Sequence, residues 1–191
     1  NAWGITFTSD KLVADSAAAT KLDAGEGRVE LNPALLSFGA GSMNYSDVAI
    51  KELRSVMFPF AGGLSFVENK SGISCHKLIF TSSGQSCLVS PEKAQYGMGA
   101  LQSELCPDGK SRVVAARLRG TFPTAFPLGN DAGYVSASKR GASEVVIFGD
   151  ADFIAEEFCL RTKASKREAI NDNIALFMQV LQSLCSDGVK N

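Results

Sequence analysis

Histidine is almost missing from this sequence: His76 is the only one in 191 residues. Nucleophilic hydrolases and amidotransferases need a base within reach of a Ser or Cys. His76 directly follows Cys75, and neighbours on a strand point to opposite faces, so the two cannot serve each other. No G-x-C-x-G or G-x-S-x-G elbow occurs; Gly84-Gln-Ser-Cys87 comes nearest and fails. An excess of either charge is also lacking. Lys and Arg number 19, Asp and Glu 20, for a net charge of −1 and a pI of about 5.9, which excludes the electrostatic footprint of a nucleic-acid binder. No apolar run approaches the roughly 20 residues that span a bilayer. No basic segment followed by an apolar one marks a signal peptide. The chain opens at Asn1-Ala2-Trp3 without an initiator Met and reads as a piece whose targeting segment lies upstream. Its five cysteines are odd in number and form no C-x-x-C, so neither a zinc site nor a thioredoxin-like pair is signalled. They read as buried, reduced thiols; a Cys75–Cys87 disulfide across a hairpin is the alternative.

What is present fits one globular domain over 1–191, 45% hydrophobic and long enough to bury a core. The most site-like stretch is Glu144 to Phe153. Val145-Val-Ile-Phe148 is a short, mostly β-branched run, as in a strand buried on both faces of a parallel sheet. Gly149 breaks it, and Asp150 and Asp152 follow where ligands bind in open α/β sheets. Upstream, the sequence predicts a strand over Arg28–Leu31 stopped by Asn32-Pro33, with a loop over Ser16–Gly27. A short helix begins at Ser46-Asp47. Strands follow at Val56–Phe60, Gly63–Val67, Lys77–Phe80 (with Ser86–Val89 as its partner) and Arg112–Leu118. Glu68–Gly72 and Asn130–Gly141 read as turn and loop. The surest helix carries Ile170, Ile174, Phe177, Met178, Leu181, Leu184 and Cys185 on one face, packs beside the Val145 strand and ends at Asp187-Gly188.

Several stretches together resemble a known family. Val145-Val-Ile-Phe-Gly-Asp-Ala-Asp-Phe153, Asp172-Asn-Ile-Ala-Leu-Phe177 and the helix to Leu184 are similar to the C-terminal signature of the auxiliary domain of uncharacterised ABC-type transport systems, which includes the gliding-motility-associated transporter auxiliary protein. Trp3-Gly-Ile5 with Leu12-Val-Ala-Asp15, Lys77-Leu-Ile-Phe-Thr-Ser82, and Val114-Ala-Ala-Arg-Leu-Arg-Gly-Thr-Phe122 followed by Phe126 resemble upstream motifs in the same order. The resemblance implies an α/β three-layer sandwich with a mostly parallel sheet, similar to class I glutamine amidotransferase-like and flavodoxin-like folds, with the first α/β units preceding Trp3. It implies a domain outside the cytoplasm, tethered to a membrane and partnered with transporter membrane subunits or related auxiliary proteins. It brings no catalytic residues and no cofactor.

The candidate binding residues are Asp150, Asp152, Thr81, Ser82 and Asn173. A D-x-D pair at a strand end can hold Mg²⁺ through oxygen ligands or can cap the next helix. Thr81-Ser82-Ser83-Gly84 can bind an anion through backbone N–H groups or form an ordinary turn. Asn173 enters through the resemblance, inside the Asp172–Phe177 motif. The basic run Arg161, Lys163, Lys166 and Arg167 is a solvated face or a contact for an acidic partner or lipid head groups. Three readings result: a non-catalytic domain binding a transporter partner or an unidentified small molecule; a sugar- or metabolite-binding domain with lost amidotransferase chemistry; and a Mg²⁺-dependent hydrolase using Asp150 and Asp152.

Overall fold

The strand Val113–Gly120 holds the molecule together. Six of its eight residues, Val113 to Leu118, are buried. The computed structural model describes residues 3–67, 72–123, 142–163 and 165–186. In chain order the elements are β1 (Ile5–Phe7), β2 (Leu12–Asp15), a 3-10 turn (Ser16–Ala18), β3 (Ala19–Asp23), β4 (Val29–Phe38), β5 (Val56–Pro59), β6 (Leu64–Phe66), β7 (Ile73–Phe80) and β8 (Ser86–Val89). Then come α1 (Pro91–Ala94), α2 (Gly97–Leu101), β9 (Val113–Gly120), β10 (Ser143–Phe148), a second 3-10 turn (Asp152–Ile154), α3 (Glu156–Cys159), β11 (Leu160–Lys163), β12 (Lys166–Ala169) and α4 (Asn173–Ser186).

The expected mostly parallel three-layer sandwich is not what forms. Every strand pairing among the described residues is antiparallel. The chain is about 40% strand and 20% helix and curls as a half-barrel. β9 takes β7 along one side and β10 along the other. Beyond the end of β10, β6 takes over at Leu64↔Val113 and β1 follows it. β3-β4-β5 and β2-β8 form separate small sheets, and β11-β12 is a hairpin.

The Val145–Phe148 run suggested a central parallel strand because its apolar residues are continuous. The structure leaves that run half-buried and pairs it antiparallel. Val146 and Phe148 pack on the main core, while Ile147 packs on a smaller cluster with Leu64, Val113 and Ala116. Both faces are partly covered, so alternation disappears, but the covering is an apolar cluster rather than a second helical layer. Among the described residues β10 pairs with β9 alone, so the chain's middle lies at Arg112–Leu118, one strand away from where the sequence placed it.

Other local expectations fail for identifiable reasons. Asn32-Pro33 does not stop β4. The Asn32 side chain, buried, accepts from Ala34 N at 3.0 Å and donates to Ala94 O at 2.9 Å. The register against β3 jumps from Thr20↔Asn32 to Ala19↔Leu36. A bulge thus absorbs the proline that a regular ladder would reject. Part of the Ser16–Gly27 loop is the 3-10 turn and β3. The helix expected from Ser46 is a set of turns, with Asp47 accepting from Ala49 N at 2.9 Å. Ser86–Val89 pairs with β2 rather than with the Lys77 strand, so the Cys75–Cys87 disulfide does not form: all five thiols are free, Cys75, Cys106 and Cys185 exposed and Cys87 and Cys159 buried.

α4 stands where predicted and packs beside β10; Phe177 and Leu184 of the expected face pack on the core, but the buried stripe is turned away from the rest of that face. The core takes Leu176 and Val180 together with the buried Asn173. Ile174, Met178, Leu181 and Cys185 face out. The inner side carries polar residues spent on hydrogen bonds, so periodicity alone turned the apolar face part of the way toward solvent. The expectations for Phe126, for Lys139-Arg140 within the Asn130–Gly141 loop, for residues 68–71 and for the helix stop at Asp187-Gly188 lie outside the described residues.

Candidate functional site

The strand exit is built by close backbone approach. Gly149 N donates to Val114 O at 2.7 Å and Gly62 N donates to Gly149 O at 2.8 Å. A Cβ on Gly149 would collide with the Gly62 carbonyl, so this position requires glycine for space. Past it, Asp150 Oδ1 accepts from Asp152 N at 2.8 Å, an Asx-turn that leads into the 3-10 turn. Asp150 Oδ2 is buried and has no partner among the described residues. Burial pushes the Asp150 carboxyl up from 3.8 to about 7; the Asp152 N–H bond works against this and the Asp152 charge adds to it. Asp152 itself is exposed. The flanking residues Phe148 and Phe153 stack at 4.6 Å, and Phe58 stacks on Phe153 at 5.1 Å. The exit is therefore one desolvated carboxyl beside an aromatic stack. Among the described residues no three His, Cys, Asp or Glu side chains gather as metal ligands would, and the supporting acids that a Mg²⁺ site at a D-x-D pair needs are not assembled there.

Thr81 and Ser82 lie in the turn after β7, on the other side of β9 from that exit: Thr81 N donates to Arg112 O at 2.9 Å, two residues before the Val114 that takes Gly149 N. Thr81 Oγ1 donates to Ser86 Oγ at 2.9 Å and accepts from Arg112 N at 2.7 Å. Ser82 N donates to Asp15 Oδ2 at 2.7 Å, and Ser82 Oγ donates to Asp15 Oδ1 at 3.2 Å. Asp15 is buried and also caps the first 3-10 turn through Ala17 N at 2.8 Å. The backbone N–H that an incoming anion would use is held by the chain's own carboxylate.

Asn173 is fully buried. Its Oδ1 accepts from Met57 N at 2.8 Å, and its Nδ2 donates to Met57 O at 2.7 Å and Phe153 O at 2.5 Å. The carboxamide copies a peptide group and pairs with the free side of β5, tying α4 to that strand and to the turn after the exit. Both of its amide protons are spent. Asp172 beside it accepts from Arg54 N at 2.7 Å and Ser55 N at 2.9 Å. The structure thus brings Asn173 to the same neighbourhood as Phe153, keeps Asp150 and Asp152 at the exit, and places Thr81 and Ser82 across β9 from it.

The sequence reading passed over the densest charge centre. Arg117, in the middle of β9, is 0% exposed. Its Nε and Nη2 grip Asp47 at 2.7 and 2.9 Å, Nη1 reaches Glu144 at 3.0 Å, and Nη2 reaches Ser183 Oγ at 3.1 Å. Glu144 is shared with the exposed Arg119. One guanidinium therefore joins the 44–52 turns, β9, β10 and α4. The signal was available: an arginine between Ala116 and Leu118 in an apolar strand must find partners once buried.

The profile of the family described as ABC-type uncharacterized transport system matches residues 1–179. The chain belongs to that family. It is an auxiliary domain of an ABC-type transport system. No curated protein and no solved structure matches the chain. In this auxiliary domain the motifs that carry the resemblance turn out to contain fold-holding residues: Asp15 pins the Ser82 turn, Gly149 permits the Gly62 approach, and Asp172 and Asn173 fasten α4. The amidotransferase-like sandwich that the resemblance implied is replaced by antiparallel sheets. His76 lies exposed on β7.

Proposed function

We propose that this auxiliary domain is a non-catalytic docking module, held outside the cytoplasm by a membrane tether of the full-length protein, and that it engages a membrane subunit of its transport system through the outer side of α4. The observation that carries this reading is the apolar stripe there. Ile174, Met178 and Leu181 are 44%, 49% and 42% exposed, and Ile170 and Ile154 at the same end of the fold are 43% exposed each. Single exposed apolar residues need no explanation, but a row on one helix side, three and four residues apart, is an interaction surface in waiting. Family membership supports a component of the transport system as the partner. The candidate polar residues support the non-catalytic part, since the hydrogen bonds of Thr81, Ser82 and Asn173 are internal.

The test is reconstitution of the full-length protein with the membrane subunits of its system in detergent, wild type against the double variant Met178→Glu/Leu181→Glu. Co-elution is expected for wild type and about a tenfold or greater loss of affinity for the variant, with the circular dichroism of both unchanged. Equal co-elution of a folded variant would refute the α4 surface. Localisation is read separately by protease added to spheroplasts, where degradation of the domain is expected and protection would overturn the placement.

A further inference from the structure

A cleft of about 590 Å³ opens beside the smaller apolar cluster of the β9 sheet, between β6, the start of β9 and the 108–112 loop. That volume lies within the range of small-molecule sites. Its apolar floor is Leu64, Phe66 and Val113. Its rim carries Lys77, Lys110 and Arg112 against one carboxylate, Asp108. Arg112 Nη2 holds Asp108 Oδ2 at 2.6 Å, and Lys110 Nζ stands 4.0 Å from the same oxygen. The guanidinium beside Asp108 keeps that carboxyl below its ordinary range, so one negative charge faces three positive ones. Lys77 has no ion pair among the described residues. The Nε of Arg112 is buried without an acceptor among them. The backbone around this rim is fixed: Arg112 N donates to Thr81 Oγ1 at 2.7 Å and Ser111 Oγ donates to Thr81 O at 2.7 Å.

Surplus positive charge over an apolar floor in a cleft of fixed walls selects one ligand chemistry. We propose that the cleft binds a small amphipathic organic anion, with its acid group at Lys77, Lys110 and Arg112 and its apolar body over Leu64, Phe66 and Val113. This site is separate from the α4 surface and does not depend on it.

Calorimetric titration with octanoate tests it, with octanol and inorganic phosphate as the two halves of the ligand taken alone. The comparison protein is Lys77→Ala/Lys110→Ala, two exposed side chains whose removal leaves the fold intact. Saturable octanoate binding is expected, weaker by about tenfold in the double variant and weakened by salt, with octanol and phosphate each binding at least about tenfold less tightly than octanoate. Octanoate binding that fails to saturate, or that is equal in the double variant, overturns the proposal. Phosphate as tight as octanoate would remove the apolar floor from the argument and overturn it too. Pelleting with phosphatidylglycerol vesicles that is lost in the double variant, with no octanoate binding, would replace it by a membrane-surface contact.

Discussion

The two ends of β10 solve the same problem in opposite ways. At its start, the half-buried Glu144 binds Arg117 and is shared with Arg119, and the guanidinium of Arg117 is also gripped by Asp47 and Ser183. At its end, Asp150 satisfies one oxygen through Asp152 N and leaves the other buried and unpaired. Charge at the first end is matched by charge; at the second it is disfavoured by burial, which raises the carboxyl to about 7. Position in the chain pointed to the second end as the site. The physics makes the first end a structural lock and the second a lone desolvated carboxyl. Residue type at a strand exit does not distinguish a ligand site from an internal turn until its hydrogen bonds are counted.

The largest effect is expected at the lock. Arg117→Met leaves Asp47 and Glu144 beside an apolar chain with most of their desolvation unrepaid. Removal of one partner from a buried ion network costs about 3–5 kcal/mol, read as the loss in unfolding free energy in urea. Arg117→Lys keeps the charge but cannot reproduce the fork onto Asp47, so it should fall between wild type and Met. A loss below about 1 kcal/mol in Arg117→Met would show that the network contributes nothing net and would erase the contrast between the two ends.

Asn173→Ala comes next. It strands Met57 N and Met57 O without their present partner and leaves Phe153 O with Cys159 Sγ alone. Unsatisfied buried groups cost about 1–3 kcal/mol each before relaxation; with water reaching some of them, a total of about 2–3 kcal/mol is expected in the same urea measurement. Asn173→Asp keeps the acceptor for Met57 N but presents a carboxylate to two carbonyls, so it should be no better than Ala at neutral pH and should recover as pH falls. If Ala costs nothing, α4 is held by its apolar contacts alone.

These two positions also show what the sequence could and could not disclose. The strands at Val56, Lys77, Arg112 and Val145 and the helix after Asn173 were legible because apolar runs and periodicity report burial directly. Sheet direction was not legible. Val145–Phe148 is half-buried in an antiparallel sheet, and its continuous apolar run reads like that of a buried parallel strand. β4 crosses Pro33 only because Asn32 and a bulge make room, a long-range compensation that no local pattern announces. Of the candidate residues, Asp150 and Asn173 were visible as polar groups beside apolar runs, but their partners lie at Asp152, Met57 and Phe153. Arg117 was the one charge in an apolar strand, and its partners Asp47 and Glu144 are 70 and 27 residues away.

Asp150 sharpens the comparison through pH. Its folded carboxyl sits at about 7 against 3.8 when free, so between those values the folded protein binds the extra proton. Stability therefore falls as pH rises from about 4 to about 7 and the penalty is complete above that. Asp150→Asn keeps an Oδ1 acceptor for Asp152 N and has no charge to desolvate. The difference between variant and wild type should grow through that window, to about 1 kcal/mol in favour of Asn at pH 8 once solvent screening is allowed for. Urea midpoints at closely spaced pH values check it. A difference that stays flat would mean that the buried oxygen finds a partner, and the two ends of β10 would then be alike.

The smallest effect on stability is expected on the outer side of α4, and its smallness is what makes it informative. Met178 is 49% exposed while Val180, two residues on, is 3% exposed. Truncating Val180 to Ala removes buried methyl groups and should cost about 1–2 kcal/mol. Met178→Glu exposes a charge where water already reaches and should stay within about 0.5 kcal/mol of wild type. A helix side that tolerates a carboxylate without loss of fold has no packing reason to be apolar, and the remaining reason is a partner. Should Met178→Glu instead destabilise as much as Val180→Ala, that side of α4 would be covered by the domain itself, and the docking surface would have to be sought elsewhere on the molecule.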